Sequence, residues 1–131
     1  MKTDSLPEQV PVAHRSLTVT VGARTFTTLT RDHLHYWLNR LPHARGGPFM
    51  TVIRPGHAGF IQTYRNSDTD HLLEVHGISD TEFIGTTVAD LATVEQLIWD
   101  WLEGDWQRLD AIAWKRERYP WSEIPDAPRS P

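Results

Sequence analysis

The stretch DLATVEQLIWDWLEGDWQRLDAIAW, from Asp90 to Trp114, constrains the fold more than any other part of the chain. A helix turns by ~100° per residue, so side chains three and four apart share a face. On that spacing Leu91, Val94, Leu97, Ile98, Trp101 and Leu102 fall on one wide arc, which must face a core. Asp90 is suited to cap the start and Gly104 to stop the end. Asp100 falls on the opposite face. Trp99 lies outside the arc, between Glu95 and Glu103, its neighbours one turn away on either side. After a connection holding Asp105 and Trp106, AIAWKRE has the alternation of a closing strand, with helix continuation as the alternative.

Upstream, Leu17, Val19 and Val21 alternate with polar residues as in a half-buried strand, and Gly22-Ala23 can turn it into a second strand through Phe26 and Leu29. Thr30 is placed to cap a helix from Arg31 to about Leu41, whose stripe is Leu34, Trp37, Leu38 and Leu41. Pro42 and Gly46-Gly47 end it. The runs FMTVIR, GFIQTYR, HLLEVH and TEFIG, separated by turn residues, read as an antiparallel meander, with Thr63, Arg65, Glu74 and His76 on partly wet faces. The expected fold class is α+β: an antiparallel sheet of about six or seven strands packed against two main helices. At 131 residues the chain has room for one core, which buries roughly two thirds of the unfolded surface. The domain is expected over 15–119, between a flexible arm at 1–14 and a Pro-rich tail at 120–131.

Charge and composition narrow the function classes. Thirteen Lys plus Arg against 17 Asp plus Glu give a formal charge of -4, and no basic run is present to neutralise several phosphates. Direct nucleic-acid binding is disfavoured, whereas a basic protein partner suits this charge, although solubility alone is its plainer reading. The absence of cysteine fits a reducing compartment. No segment has the apolar length to span a bilayer, and the amino terminus lacks the apolar core of a signal peptide, so a cytoplasmic, membrane-free protein is expected.

Seven histidines invite a metal reading, but spacing opposes it. His33 and His35 diverge by about 200° on a helix, and His71 and His76 lie on opposite faces of a strand. Glu74 and His76 do share a face, where a carboxylate can orient an imidazole, although a solvated pair is the plainer reading. Arg54, His57, Tyr64 and Arg65 flank the central turns and form an anion pocket only if the fold gathers them. No phosphate loop, nucleophile turn, zinc motif or calcium loop occurs, so no catalytic residue, metal or cofactor is assigned. The alternative is a small enzyme or ligand-binding accessory protein with Glu74, His76, Tyr64 and Arg65 around a polar pocket between sheet and helices. Trp37, Trp101 and Trp114 are expected in the core. Trp99, Trp106 and Trp121 are less readily buried, and aromatic residues flanked by acids make protein-binding hot spots. Trp99, Glu95, Glu103 and Trp106 are therefore the candidate partner-binding set, on a monomer or on a homodimer whose tryptophans meet across a two-fold axis. The plainer reading has Trp99 and Trp106 covering a strand edge or packing under the tail.

From about Leu17 to Glu117 the arrangement resembles the Imm1 family of bacterial immunity proteins. The resemblance rests on the opening strand, the helix with Leu34, Trp37, Leu38 and Leu41, the Gly59-Phe60-Ile61 strand, Gly85 before a hydrophobic helix ending at Gly104, and a terminal strand with Trp114 ahead of Lys115, Arg116 and Glu117. The chain departs from it at Asp105-Trp106-Gln107-Arg108, where a Pro-containing turn is expected, and carries more tryptophan. The resemblance implies a small cytoplasmic protein without catalytic activity that binds and neutralises a cognate toxin, often a nucleic-acid-acting deaminase.

Overall fold

Period-2 alternation and two amphipathic stripes produce one α+β domain. The computed structural model describes residues 12–56 and 59–120. Its elements are β1 (Ala13–His14), β2 (Thr18–Val21), β3 (Arg24–Phe26), β4 (Leu29–Thr30), α1 (Arg31–Asn39), a 3-10 turn (Leu41–His43), β5 (Phe49–Ile53), β6 (Phe60–Ser67), β7 (Asp70–His76), β8 (Glu82–Val88), α2 (Leu91–Glu103), α3 (Gln107–Asp110) and β9 (Lys115–Arg118). Seven strands form an antiparallel sheet in the order β3-β2-β5-β6-β7-β8-β9, and β1 pairs separately with β4.

Register decides which side chains are buried. Val19, Val52, Ile61 and Val75 align across β2, β5, β6 and β7, and Val21, Met50, Thr63 and Leu73 form the next row on the same face. All eight are buried. Onto that face pack Leu34 and Leu38 of α1 and Val94, Leu97, Ile98, Trp101 and Leu102 of α2. The helix stripe read from spacing is thus the core face of α2. Gly104 ends α2 in the left-handed conformation that glycine adopts without a Cβ penalty, and Thr30 Oγ1 caps α1 by accepting from the His33 N–H (3.1 Å). Among the described residues, no helix is long and apolar enough to cross a membrane.

Five local expectations change. First, α1 stops at Asn39: Pro42 has no N–H to donate to the Leu38 carbonyl, and Leu41 opens a 3-10 turn instead. Second, the hairpin strand ends at Phe26, and Leu29 belongs to β4, whose partner β1 recruits Ala13 and His14 from the stretch read as an arm. Residues 1–11 and 121–131 lie outside the described residues. Third, Thr63 is buried rather than wet, and its hydroxyl donates to the Leu72 carbonyl (2.7 Å). Fourth, Asp100 is buried although it sits off the apolar arc. The helical turn α3 folds back so that Arg108 donates to both carboxylate oxygens (2.8 and 3.2 Å), and Gln96 donates a third bond (2.9 Å). Burial alone would raise the Asp100 carboxyl, but these bonds and the charges of Arg108 and Arg31 outweigh it and hold it below the ordinary carboxylate value. Fifth, the closing strand begins only at Lys115; Trp114 precedes it and donates through Nε1 to the Leu109 carbonyl (2.7 Å).

Candidate functional site

The helices cover one face of the sheet, and the other carries the most ordered polar chemistry of the chain. Antiparallel pairing aligns Thr20, Thr51, Gln62, Glu74, Gly85 and Lys115 in a single row across β2, β5, β6, β7, β8 and β9. Thr51 donates to Gln62 Oε1 (3.0 Å), and Gln62 Nε2 reaches Glu74 Oε1 (3.5 Å). Opposite Glu74 stands Gly85, where an added Cβ would make only ordinary van der Waals contact with the Glu74 Cγ (3.4 Å).

His76 stands in the adjoining row, opposite Phe60. Its ring is stacked between Phe60 (4.4 Å, 7° between planes) and Phe83 (4.3 Å, 11°). Nε2 meets Glu74 Oε1 at 2.8 Å, and Nδ1 meets the Tyr119 hydroxyl at 2.5 Å. Tyr119 is fixed by its own backbone N–H, which donates to the Thr81 carbonyl (2.9 Å). Glu74, His76 and Tyr119 therefore form a continuous hydrogen-bonded chain beside a shallow depression of ≈ 660 Å³ that Phe60, Ile78, Ser79 and Asp80 also line.

A carboxylate orienting an imidazole that faces a hydroxyl is the outline of an acid–base relay. In the neutral imidazole Nε2–H donates to Glu74 and Nδ1 accepts the Tyr119 proton; in the imidazolium both nitrogens donate. Two features separate this chain from a nucleophile generator. The His76 side chain is only 10% exposed and both its nitrogens are committed, which leaves no imidazole lone pair for a substrate. Burial, followed by the negative charge of Glu74, pushes the Tyr119 hydroxyl above the ordinary tyrosine value, whereas a tyrosinate nucleophile needs the reverse. The arrangement is suited to holding polar groups in fixed positions within an aromatic frame.

Of the four residues named for a polar pocket, the fold joins two. Glu74 and His76 are bonded, but on the helix-free face and not between sheet and helices. Tyr64 shares that face yet belongs to the row Phe49, Tyr64, Leu72, Thr87, on the far side of the Glu74 row from His76. Arg65 is paired with buried His71 on the opposite face and bonds Asp68. Nor do the central turns gather an anion pocket: Arg54 lies 4.3 Å over the Trp101 ring and donates to its carbonyl (3.1 Å), and His57 lies outside the described residues. Burial lowers the Arg54 guanidinium from its ordinary value. Tyr119, Phe60 and Phe83 were not among the candidates. Phe60 and Phe83 are legible in sequence only as strand aromatics, since the face they share with His76 depends on the register between strands; Tyr119, outside any periodic segment, carries no signal.

The proposed tryptophan patch is largely engaged within the chain. Trp99 is half-buried, packs against the core and meets the His14 ring edge-on at 4.9 Å. Glu95 accepts from Arg31 (2.5 Å) and contacts His35 (2.7 Å), and Glu103 contacts His14 (2.6 Å). The strand β1 thus crosses beside Trp99 and ties down one of the glutamates expected to flank an open aromatic. Trp106 is half-buried at the start of α3, and Trp121 lies outside the described residues. Among the described residues, no group of three or more His, Asp or Glu side chains is placed to hold a metal ion. No protein-family model matches the chain, and no curated protein and no solved structure matches it either.

Proposed function

We propose that the chain is a protein-binding inhibitor of the immunity type, which neutralises a cognate toxin through the helix-free face of its sheet. The observation that carries this reading is the composition of that face. Ile53 and Tyr64 are exposed on it, Ile78 is exposed at its rim, and Phe49, Phe60, Leu72 and Phe83 are half-buried around the hydrogen-bonded row of Thr51, Gln62 and Glu74. The buried apolar residues of α1, α2 and α3 belong to the core on the other face. Aromatic and aliphatic anchors around fixed polar groups are the makeup of an interface centre. The net charge of -4 favours encounter with a basic partner, such as a toxin that acts on nucleic acid.

The test is co-expression with the product of the neighbouring gene, with rescue of growth from its toxicity as the readout. Rescue is expected to survive Trp99→Ala and to be lost in Ile53→Asp combined with Tyr64→Asp, with the affinity of the folded double variant falling by about 2 kcal/mol or more. Full rescue by the double variant would remove the sheet face from the interface.

A second reading, a ligand-binding accessory protein, draws its support from the Glu74, His76, Tyr119 chain beside its depression. It expects a small polar ligand to shift the Tyr119 and His76 resonances in a way that Tyr119→Phe abolishes.

A further inference from the structure

The arginines that sequence scatters at positions 24, 40 and 45 are gathered by two glycine turns. Gly22 turns β2 into β3 with φ +57°, and its α-carbon approaches the backbone of Arg45 so closely that a Cβ would lie 2.0 Å from the Arg45 carbonyl oxygen. The same carbonyl accepts the Ala23 N–H (2.6 Å). Gly46 returns the approach, since a Cβ there would lie 2.9 Å from the Ala23 nitrogen. The two turns interlock, which sets Arg24 and Arg45 beside the end of α1, where Tyr36, Trp37 and Arg40 stand.

Arg24, Arg40, His43 and Arg45, with Tyr36 and Trp37, line one recess of ≈ 450 Å³. That volume is in the range of small-ligand sites. Two of the guanidiniums are positioned by aromatic rings: Arg24 lies 5.5 Å over Trp37 and Arg40 5.2 Å over Tyr36. Among the described residues, no carboxylate lines the recess. Among the described residues, none of the three guanidiniums has a carboxylate partner or donates a side-chain hydrogen bond; the other basic side chains of the domain that do so include Arg31, Arg54, Arg65, Arg108 and Arg116. In a chain with an excess of acidic residues, three exposed arginines lining one recess, with no carboxylate partner among the described residues, are suited to hold an anion, and the planar fork matches phosphate oxygens two at a time. Tyr36 and Trp37 also wall a neighbouring, mainly apolar recess of ≈ 610 Å³ with Phe26 and Thr28.

We infer that this pair of recesses binds a phosphate monoester with an aromatic body, its phosphate held by Arg24, Arg40 and Arg45 and its ring against the Phe26, Tyr36 and Trp37 side. Three arginines are too few for a nucleic-acid track, and a recess of ≈ 450 Å³ matches a small molecule. The site is on α1 and the β2–β3 turn and stands independently of the sheet-face reading.

The experiment is an NMR titration of the full chain with phenyl phosphate, inorganic phosphate and phenol, read at the Trp37 indole N–H and the Arg24 and Arg40 side-chain N–H signals. Phenyl phosphate is expected to bind at least tenfold more tightly than either fragment. Arg40→Gln should weaken it at least tenfold, equivalent to about 1.4 kcal/mol, while Arg116→Gln on β9 leaves it unchanged. Binding no tighter than inorganic phosphate, equal affinity in Arg40→Gln, or shifts that spread equally to Arg116 would each overturn the proposal.

Discussion

Gly22→Ala tests the interlocked turns directly. Two costs act on the substitution. The first is conformational: φ +57° is left-handed, where a Cβ costs about 1–2 kcal/mol. The second is the close approach. Non-bonded carbon and oxygen settle near 3.5 Å, so a Cβ placed 2.0 Å from the Arg45 oxygen must move it by roughly 1.5 Å. That displacement breaks the bond from the Ala23 N–H, worth about 1 kcal/mol where water can replace it. The expected loss is therefore about 2–3 kcal/mol, which in a domain of this size lowers Tm by about 10 °C. Gly104→Ala is the control, because Gly104 has φ +74° but nothing within 4 Å of its missing Cβ. It carries only the first cost, about 1–2 kcal/mol. Urea unfolding of the two variants, with unchanged m-values, isolates the contact as their difference. Equal destabilisation of Gly22→Ala and Gly104→Ala would refute the close approach. The same Gly22 variant should also weaken phenyl phosphate binding, since it separates Arg45 from Arg24.

Four further outcomes follow from the geometry. Asp100 has a lowered carboxyl value in the folded state, so its contribution to stability is present above the unfolded value and is lost as pH falls through the folded one; Asp100→Asn should flatten the acid limb of a stability–pH curve, and an unchanged limb would contradict the assignment. Tyr119 has the opposite sign: its raised value makes its contribution complete below the unfolded tyrosine value and lost as pH rises through the folded one. In a spectrophotometric titration Glu74→Gln should lower the Tyr119 value without restoring it fully, since burial, the larger cause, remains. Leu109→Ala, at a fully buried position of α3, should cost about 2–5 kcal/mol in urea unfolding and release α3 from its place over Asp100.

Local patterns made the architecture legible. Alternation in LTVTV and the stripe of Leu91, Val94, Leu97, Ile98, Trp101 and Leu102 are properties of a few consecutive residues, and each became the element its period implies. The pairing of Glu74 with His76 was legible for the same reason, since strand residues two apart share a face. What the sequence hid was closure over distance. Asp100 reads as solvent-facing on the helix wheel, and only the return of Arg108 from α3 makes it a buried, satisfied carboxylate. Trp99 reads as surplus to packing because its neighbour, His14, also holds Glu103, which is 89 residues further along the chain. Tyr119 completes the His76 chain from 43 residues away, and no periodicity connects them.

The arginine recess belongs to the same class but was hidden in a second way. A search for a basic run looks for charges adjacent in sequence, and positions 24, 40 and 45 contain none. Yet a folded recess needs only charges adjacent in space. Glycine is the residue that permits two backbones to approach within what would be a Cβ contact, so Gly22 and Gly46 decide whether Arg24 and Arg45 face one cavity or two separate stretches of solvent. Charge clustering in this chain is therefore a backbone property before it is a side-chain one. Substituting Gly22 should disperse the positive potential while leaving all 13 Lys and Arg residues in place, and loss of phosphate affinity in a variant that remains folded and keeps every arginine would separate that cause from simple loss of charge.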